Sequence, residues 1–204
     1  MKKLILLLII CLYLLMANTA LAVDPKFRRP LNNSFSPMVT YYYDNQTGSG
    51  VKSYWCSTST SNNYNGHQGT DFKSPFGTNV YAGANGGLYY RWDSCLNYGS
   101  IGNTCGGGYG NHVKIDHEGN WNDGIGWVTV YAHMKQGTIP WPMTVWCGSN
   151  IGQSASSGSS SAPHLHFEVK KYSYPGNDPF SGSCSHPTSF WVNQNGGTPT
   201  TQCQ

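Results

Sequence analysis

Four histidines and one aspartate have the types and spacings that metal chemistry needs. His67 and Asp71 stand four apart in Gly66-His67-Gln68-Gly69-Thr70-Asp71-Phe72. Residues four apart share a face on a helix and also, with its period of two, on a strand. Gly66, Gly69 and the Ser74-Pro75-Phe76-Gly77 turn favour the extended form. His164 and His166 stand two apart ahead of Phe167-Glu168-Val169, so a strand points both imidazoles the same way. Two such segments facing each other converge histidine, aspartate and histidine on one point. Three N/O ligands with a fourth position open to water is the arrangement of a catalytic zinc. The chain has no His-Glu-x-x-His helix motif and only two glutamates, Glu118 and Glu168, so the glutamate base of many zinc proteases is not offered. His133 closes an apolar run in Tyr131-Ala132-His133-Met134. Taken alone, it reads as a satisfied core histidine.

The elements that must position these groups read as strands. Short β-compatible runs cover residues 79–82, 87–92, 112–117, 127–133, 143–146 and 165–170, separated by Gly, Asn and Pro. No segment sustains a helical apolar period over three turns. The expected fold is therefore all-β and antiparallel. Residues 153–161 have linker composition but run directly into Pro163-His164, and read as a loop over the site. His112 and His117 are five apart, on opposite faces of a strand, and read as structural. Glu168 shares a face with His164 and His166; it either orients an imidazole or faces solvent.

Composition narrows the class. Of 204 residues only 10% are charged, while 14% are aromatic and 25 are Gly. That balance excludes a disordered chain, a long coiled coil and the basic face of a nucleic-acid binder. Lys2 and Lys3, the apolar run from Leu4 to Met16 and Ala20-Leu21-Ala22 predict a secretory signal over 1–22. Its removal takes two of the 12 basic side chains and leaves 10 against 9 acidic ones, a net charge of +1. It also leaves six of seven cysteines, an even number suited to disulfides outside the cytosol. Six cysteines allow 15 pairings. Cys95 with Cys105 brackets a Gly-rich loop, Cys184 with Cys203 would pin the C-terminal tail, and Cys56 with Cys147 then follows.

The motif set resembles a known family. His67 to Asp71 in their Gly-rich context, Tyr109-Gly110-Asn111-His112-Val113, Tyr131-Ala132-His133-Met134 and Pro163-His164-Leu165-His166-Phe167-Glu168-Val169 together look like the lysostaphin-type zinc metalloendopeptidases, with their LytM-type (duplicated hybrid motif) domain. The resemblance runs from about residue 64 to Asp178-Pro179. It implies antiparallel sheets forming a groove, one zinc per chain held by His67, Asp71 and His166, and His133 with His164 acting beside it on water and oxyanion. It further implies a secreted, periplasmic or extracellular monomer that hydrolyses amide bonds of peptidoglycan peptides or cross-bridges. Gly-rich proteins as substrates and a non-catalytic wall-binding or activator module are the alternatives. Neither nucleic-acid binding nor stable membrane insertion after signal cleavage is expected. The chain departs from the family at Ala155 and Ala162, where Gly is usual, and residues 92–108 look inserted. The implied organisation is a signal (1–22), an arm (23–50), the metallopeptidase domain (51–182) and a disulfide-tied tail (183–204).

Overall fold

The computed structural model describes residues 24–118, 126–171 and 176–204. The expected signal segment lies outside them. Ten strands are present among the described residues: β1 (Val39–Tyr41), β2 (Thr70–Lys73), β3 (Asn79–Tyr81), β4 (Gly86–Trp92), β5 (Asn111–Asp116), β6 (Trp127–Met134), β7 (Met143–Val145), β8 (Asn150–Gln153), β9 (His164–Lys171) and β10 (Gly176–Asn177). Only short 3₁₀ turns, Cys105–Gly108 and Asn195–Gly197, interrupt this pattern among the described residues. The fold is all-β, as the turn-punctuated runs predict. The runs missed β1, β2, β8 and β10, which are two to four residues long, although the extended reading of the His67–Asp71 segment reaches into β2.

The main sheet has the order β1-β2-β9-β6-β5-β4-β7, with β10 pairing with Val169 and Lys170 beyond the end of β2, on the same side of β9, and every pairing is antiparallel. A separate ribbon pairs β3 with β8. Directly paired residues share a face of the sheet. Phe72 pairs with Leu165, and Phe167 pairs with Tyr131; all four are fully buried with Phe27, Phe180 and Trp191 in one apolar cluster. On the other face Asp71 pairs with His166, which pairs in turn with Ala132. Period-two alternation in β2 and β9 thus sorts phenyl and aliphatic groups to the core and ligand-type groups to the opposite side.

The N-terminal arm is part of this core. Phe27 and Leu31 are fully buried, the Phe27 amide donates to Phe190 O at 2.7 Å, and β1 adds an edge strand to β2. Of the expected disulfides only Cys95–Cys105 is present; the others are Cys56–Cys184 and Cys147–Cys203. The pairs Cys184–Cys203 and Cys56–Cys147 are therefore wrong, for a tertiary reason. The C-terminal tail runs back along the arm, with the Arg29 amide donating to Thr200 O at 2.7 Å, and this carries Cys203 to the turn holding Cys147. Cys184 is left beside the loop before β2, where its amide donates to Tyr54 O at 2.9 Å, within reach of Cys56.

Candidate metal centre

His67, Asp71 and His166 are all buried and converge. Asp71 Oδ1 lies 2.8 Å from His166 Nδ1 and 3.2 Å from His67 Nε2, and those two nitrogens are 3.2 Å apart. A tetrahedral ion with bonds of ~2.0–2.1 Å separates its ligands by about 3.4 Å, so a small inward-outward adjustment fits zinc. Asp71 and His166 face each other in the β2–β9 register. His67 is not on a strand, contrary to the extended reading of this segment; it sits in the turn before β2. Gly66, at φ +75, makes that turn, and Asp44 Oδ2 accepts its amide at 2.8 Å. Gly69 lets β9 come close, since a Cβ there would stand 2.6 Å from His166 Cε1.

The outer nitrogens fix the tautomers. His67 Nδ1 donates to Tyr42 O at 2.7 Å, and His166 Nε2 donates to Glu168 Oε1 at 3.1 Å. Each ring therefore turns its remaining nitrogen to the centre, and carboxylate–imidazole pairs of this kind orient metal ligands. Glu168 is only 1% exposed, which selects the orienting role over the solvent-facing one. The same oxygen accepts the Tyr109 hydroxyl at 2.8 Å. Electrostatics also favour a cation here. Burial opposes charge on His166, but hydrogen bonds to Asp71 and Glu168 hold its pKa up to about 10. Burial likewise disfavours ionised Asp71, yet the adjacent His67 and His166 keep that carboxyl well below its usual range. The same carboxylates that favour a proton on His166 favour a metal cation between the three groups. The donor set fits zinc.

His133 and His164 stand over this centre. Their rings are 4.6 Å apart, His133 lies 5.7 Å from the His166 ring, and His164 Nε2 is 3.7 Å from Asp71 Oδ2. His133 Nδ1 donates to Ser157 O at 2.7 Å and His164 Nδ1 to Ala162 O at 2.8 Å. Both rings present Nε2, unprotonated in the neutral form, to the cleft. Burial first, then the neighbouring His164 and His166, pushes His133 down to about 3. Strand alternation alone would misplace His133. Ala132 faces the metal side, so the next residue should face the core. His133 instead adopts φ +59, a left-handed conformation that brings its ring back to the metal side. Neither Ala155 nor Ala162 needs a left-handed conformation; Gly152 and Gly158 take those positions in this stretch.

A cleft of about 540 Å³ opens over Asp71, His133 and His164, lined further by Tyr41, Tyr64, Lys73, Ile101 and the Ser159–Pro163 stretch. The 153–161 loop thus borders the site. The Tyr64 ring stacks on His67 at 4.2 Å. Tyr109, Tyr64 and the carbonyls of Tyr42, Ser157 and Ala162 were missed from sequence. A backbone carbonyl leaves no residue-type signal, and an aromatic in an aromatic-rich chain does not stand out. His112 and His117 bond to Gly110 O and Asn85 O, away from the centre.

Two histidines and a carboxylate converging at one face of an antiparallel sheet define the class of chain: a β fold with a candidate metal site of the metallopeptidase type. The sequence profile of Peptidase family M23 matches residues 65–178, more than half the chain, and the chain belongs to that family. It is 33% identical over 116 residues to the DD-carboxypeptidase/endopeptidase Mpg of Neisseria meningitidis serogroup B, covering 54% of this chain and 21% of that protein. Against the peptidoglycan DD-endopeptidase ShyA of Vibrio cholerae the identity is 31% over 103 residues, covering 50% and 20%. The chain thus spans about a fifth of the length of these curated relatives. Among solved structures, the catalytic domain of lysostaphin from Staphylococcus simulans aligns with a TM-score of 0.43 at 26% identity, over 65% of this chain and 86% of that one.

Proposed function

We propose that this chain is an exported zinc endopeptidase, acting as a monomer with one zinc, that hydrolyses amide bonds in peptidoglycan peptides or cross-bridges. The observation that carries the proposal is the set of inward-facing ligand atoms, His67 Nε2, Asp71 Oδ1 and His166 Nδ1, beneath the two carbonyl-tethered histidines. The family's peptidoglycan-acting relatives support the substrate class. Three disulfides support a site of action outside the cytosol, and among the described residues no helix is long and apolar enough to cross a membrane.

His67, Asp71 and His166 would hold the zinc, which would supply Lewis acidity and activate water for attack on the scissile amide. His133 and His164 do the proton work at their Nε2 atoms. One accepts the proton of the attacking water, and the pair returns a proton to the leaving amine. When protonated, the second donates to the developing oxyanion. Their Nδ1 tethers hold both rings in place through the cycle, and Glu168 does the same for His166. The Tyr- and Ser-rich lining of the cleft, with Lys73 beside it, suits a peptide substrate.

Zinc-loaded protein incubated with purified walls of several types should release new amino groups, identified by mass spectrometry of the muropeptides. No release from any wall type sinks the proposal. Preferential digestion of Gly-rich proteins over walls would replace the substrate and keep the chemistry. An activity undiminished in His133→Ala would favour the binding or activator module instead.

A further inference from the structure

A cavity of about 380 Å³ lies between the N-terminal arm and the C-terminal tail and shares no lining residue with the metal cleft. Arg29, Ser34 and Tyr42 line it from the arm, Gly196 and Thr198 from the tail. Tyr41 lines the metal cleft and Tyr42, the next residue, lines this cavity, so the chain leaving β1 divides the two spaces. No part of the lining falls within residues 65–178, so the cavity belongs to segments outside the matched family region.

Arg29 is the unusual group in this wall. It is 7% exposed, and the adjacent Arg28 is 6% exposed. Among the described residues the one arginine ion pair is Arg91 with Asp93, so neither buried arginine has a carboxylate partner. Arg28 donates to Arg29 O at 3.1 Å and to Asn32 Oδ1, and its guanidinium lies over the Tyr81 ring. Arg29 donates from Nε to Leu31 O at 2.9 Å and from Nη2 to Asn33 O at 2.6 Å. Its Nη1 has no partner among the described residues, yet it is not sealed from solvent. The opening that Arg29 lines is this cavity. Neutral carbonyls do not balance a guanidinium charge, and a buried charge without a counter-charge is costly. Burial first, and Arg28 second, work against the charge on Arg29, so an anion beside it is favoured.

We infer that this cavity is a binding site for a carboxylate with a small apolar body, its oxygens paired with Arg29 Nη1. The lining carries no Asp or Glu to compete for the guanidinium, and the hydroxyls of Ser34, Tyr42 and Thr198 are further donors around it. Arg29 is also the only cation in the lining, and one guanidinium balances one negative charge. A phosphate group carries about 1.5 to 2 charges near neutral pH, so a carboxylate is the better match. Phe35 and Pro37, both exposed, give the wall its apolar part, against which a short carbon skeleton can rest. The volume lies within the ~300–1,000 Å³ of small-ligand pockets. The C-terminus of a peptide and a free short-chain acid offer the same chemistry. The site is argued from Arg29 and stands apart from the endopeptidase reading.

The test is titration calorimetry of the chain, with and without zinc, against N-acetyl-alanyl-alanine, its C-terminal amide, propionate and inorganic phosphate. The free acid should bind at least about 10-fold more tightly than the amide, the scale of one charge-assisted hydrogen bond, and equally well in both metal states. Thr198→Asp, at an exposed position in the lining, supplies an internal carboxylate and should weaken the free acid by about 10-fold, whereas Thr198→Asn should not. Arg29→Gln should bring acid and amide to one affinity; if that variant fails to fold, the two Thr198 variants still decide. A dipeptide that binds more tightly than propionate assigns the site to peptide ends, and equal binding assigns it to free short-chain acids; both keep the carboxylate. The proposal is overturned if the amide binds as well as the acid, if phosphate binds more tightly than every carboxylate, or if Thr198→Asp keeps the parent affinity. Binding that disappears when zinc is removed belongs to the metal centre and overturns it as well.

Discussion

On one side of β9, Leu165, Phe167 and Val169 are fully buried against Phe72, Tyr131 and Trp191. On the other, His164, His166 and Glu168 meet His67, Asp71, Tyr109 and His133. The same eight residues of backbone serve both sides, and the two differ in what a lost group costs. The apolar side is held by area and close packing, which many neighbours share. The polar side is held by a few directional bonds among a handful of groups, so its losses should appear in chemistry and metal affinity with the fold intact. The lesson is that one strand can keep stability and function separate when its register is fixed by core residues alone.

Mutations can break that separation. The largest expected effect is His133→Ala, which should lower kcat by about 10²–10⁴ while zinc content, read by metal analysis, stays at the wild-type value. Loss of zinc in step with activity would show that the metal-side residues do not act separately. Next is Phe167→Ala, which should cost about 3–5 kcal/mol in urea unfolding. The fraction still folded should bind zinc normally; a weakened site in the folded fraction would mean the core side also tunes the ligands. Glu168→Gln removes the charge behind His166 and should weaken zinc by ~10–100-fold in chelator competition. The smallest effect is expected for Tyr109→Phe, a few-fold loss of zinc affinity from one hydrogen bond of ~1 kcal/mol. A melting temperature that falls further for Tyr109→Phe than for Phe167→Ala would contradict the division between the faces.

The sequence was most legible where one rule acted alone. Apolar residues alternating through 164–171 announced both the strand and its two faces, and the His-x-His pair inherited its direction from that alternation. His67 was harder. Its spacing from Asp71 suggested a shared strand face, whereas a left-handed Gly66 and the reach of Asp44 place it in a turn. The disulfides were illegible because pairing follows the path of the tail, and the contact of Arg29 with Thr200 that sets this path has no local signature. Tyr109 and the carbonyl tethers escaped for the same reason: their meaning depends on distant neighbours.

The left-handed backbone at His133 has a consequence for selection. A β-strand residue at φ +59 carries a conformational cost of about 1–3 kcal/mol that glycine largely avoids. A library screened only for heat resistance should therefore enrich glycine or asparagine at 133, and under the proposed mechanism such winners would lose turnover. Thermostabilisation of this chain has to be sought on the apolar side of the sheet, with position 133 held fixed.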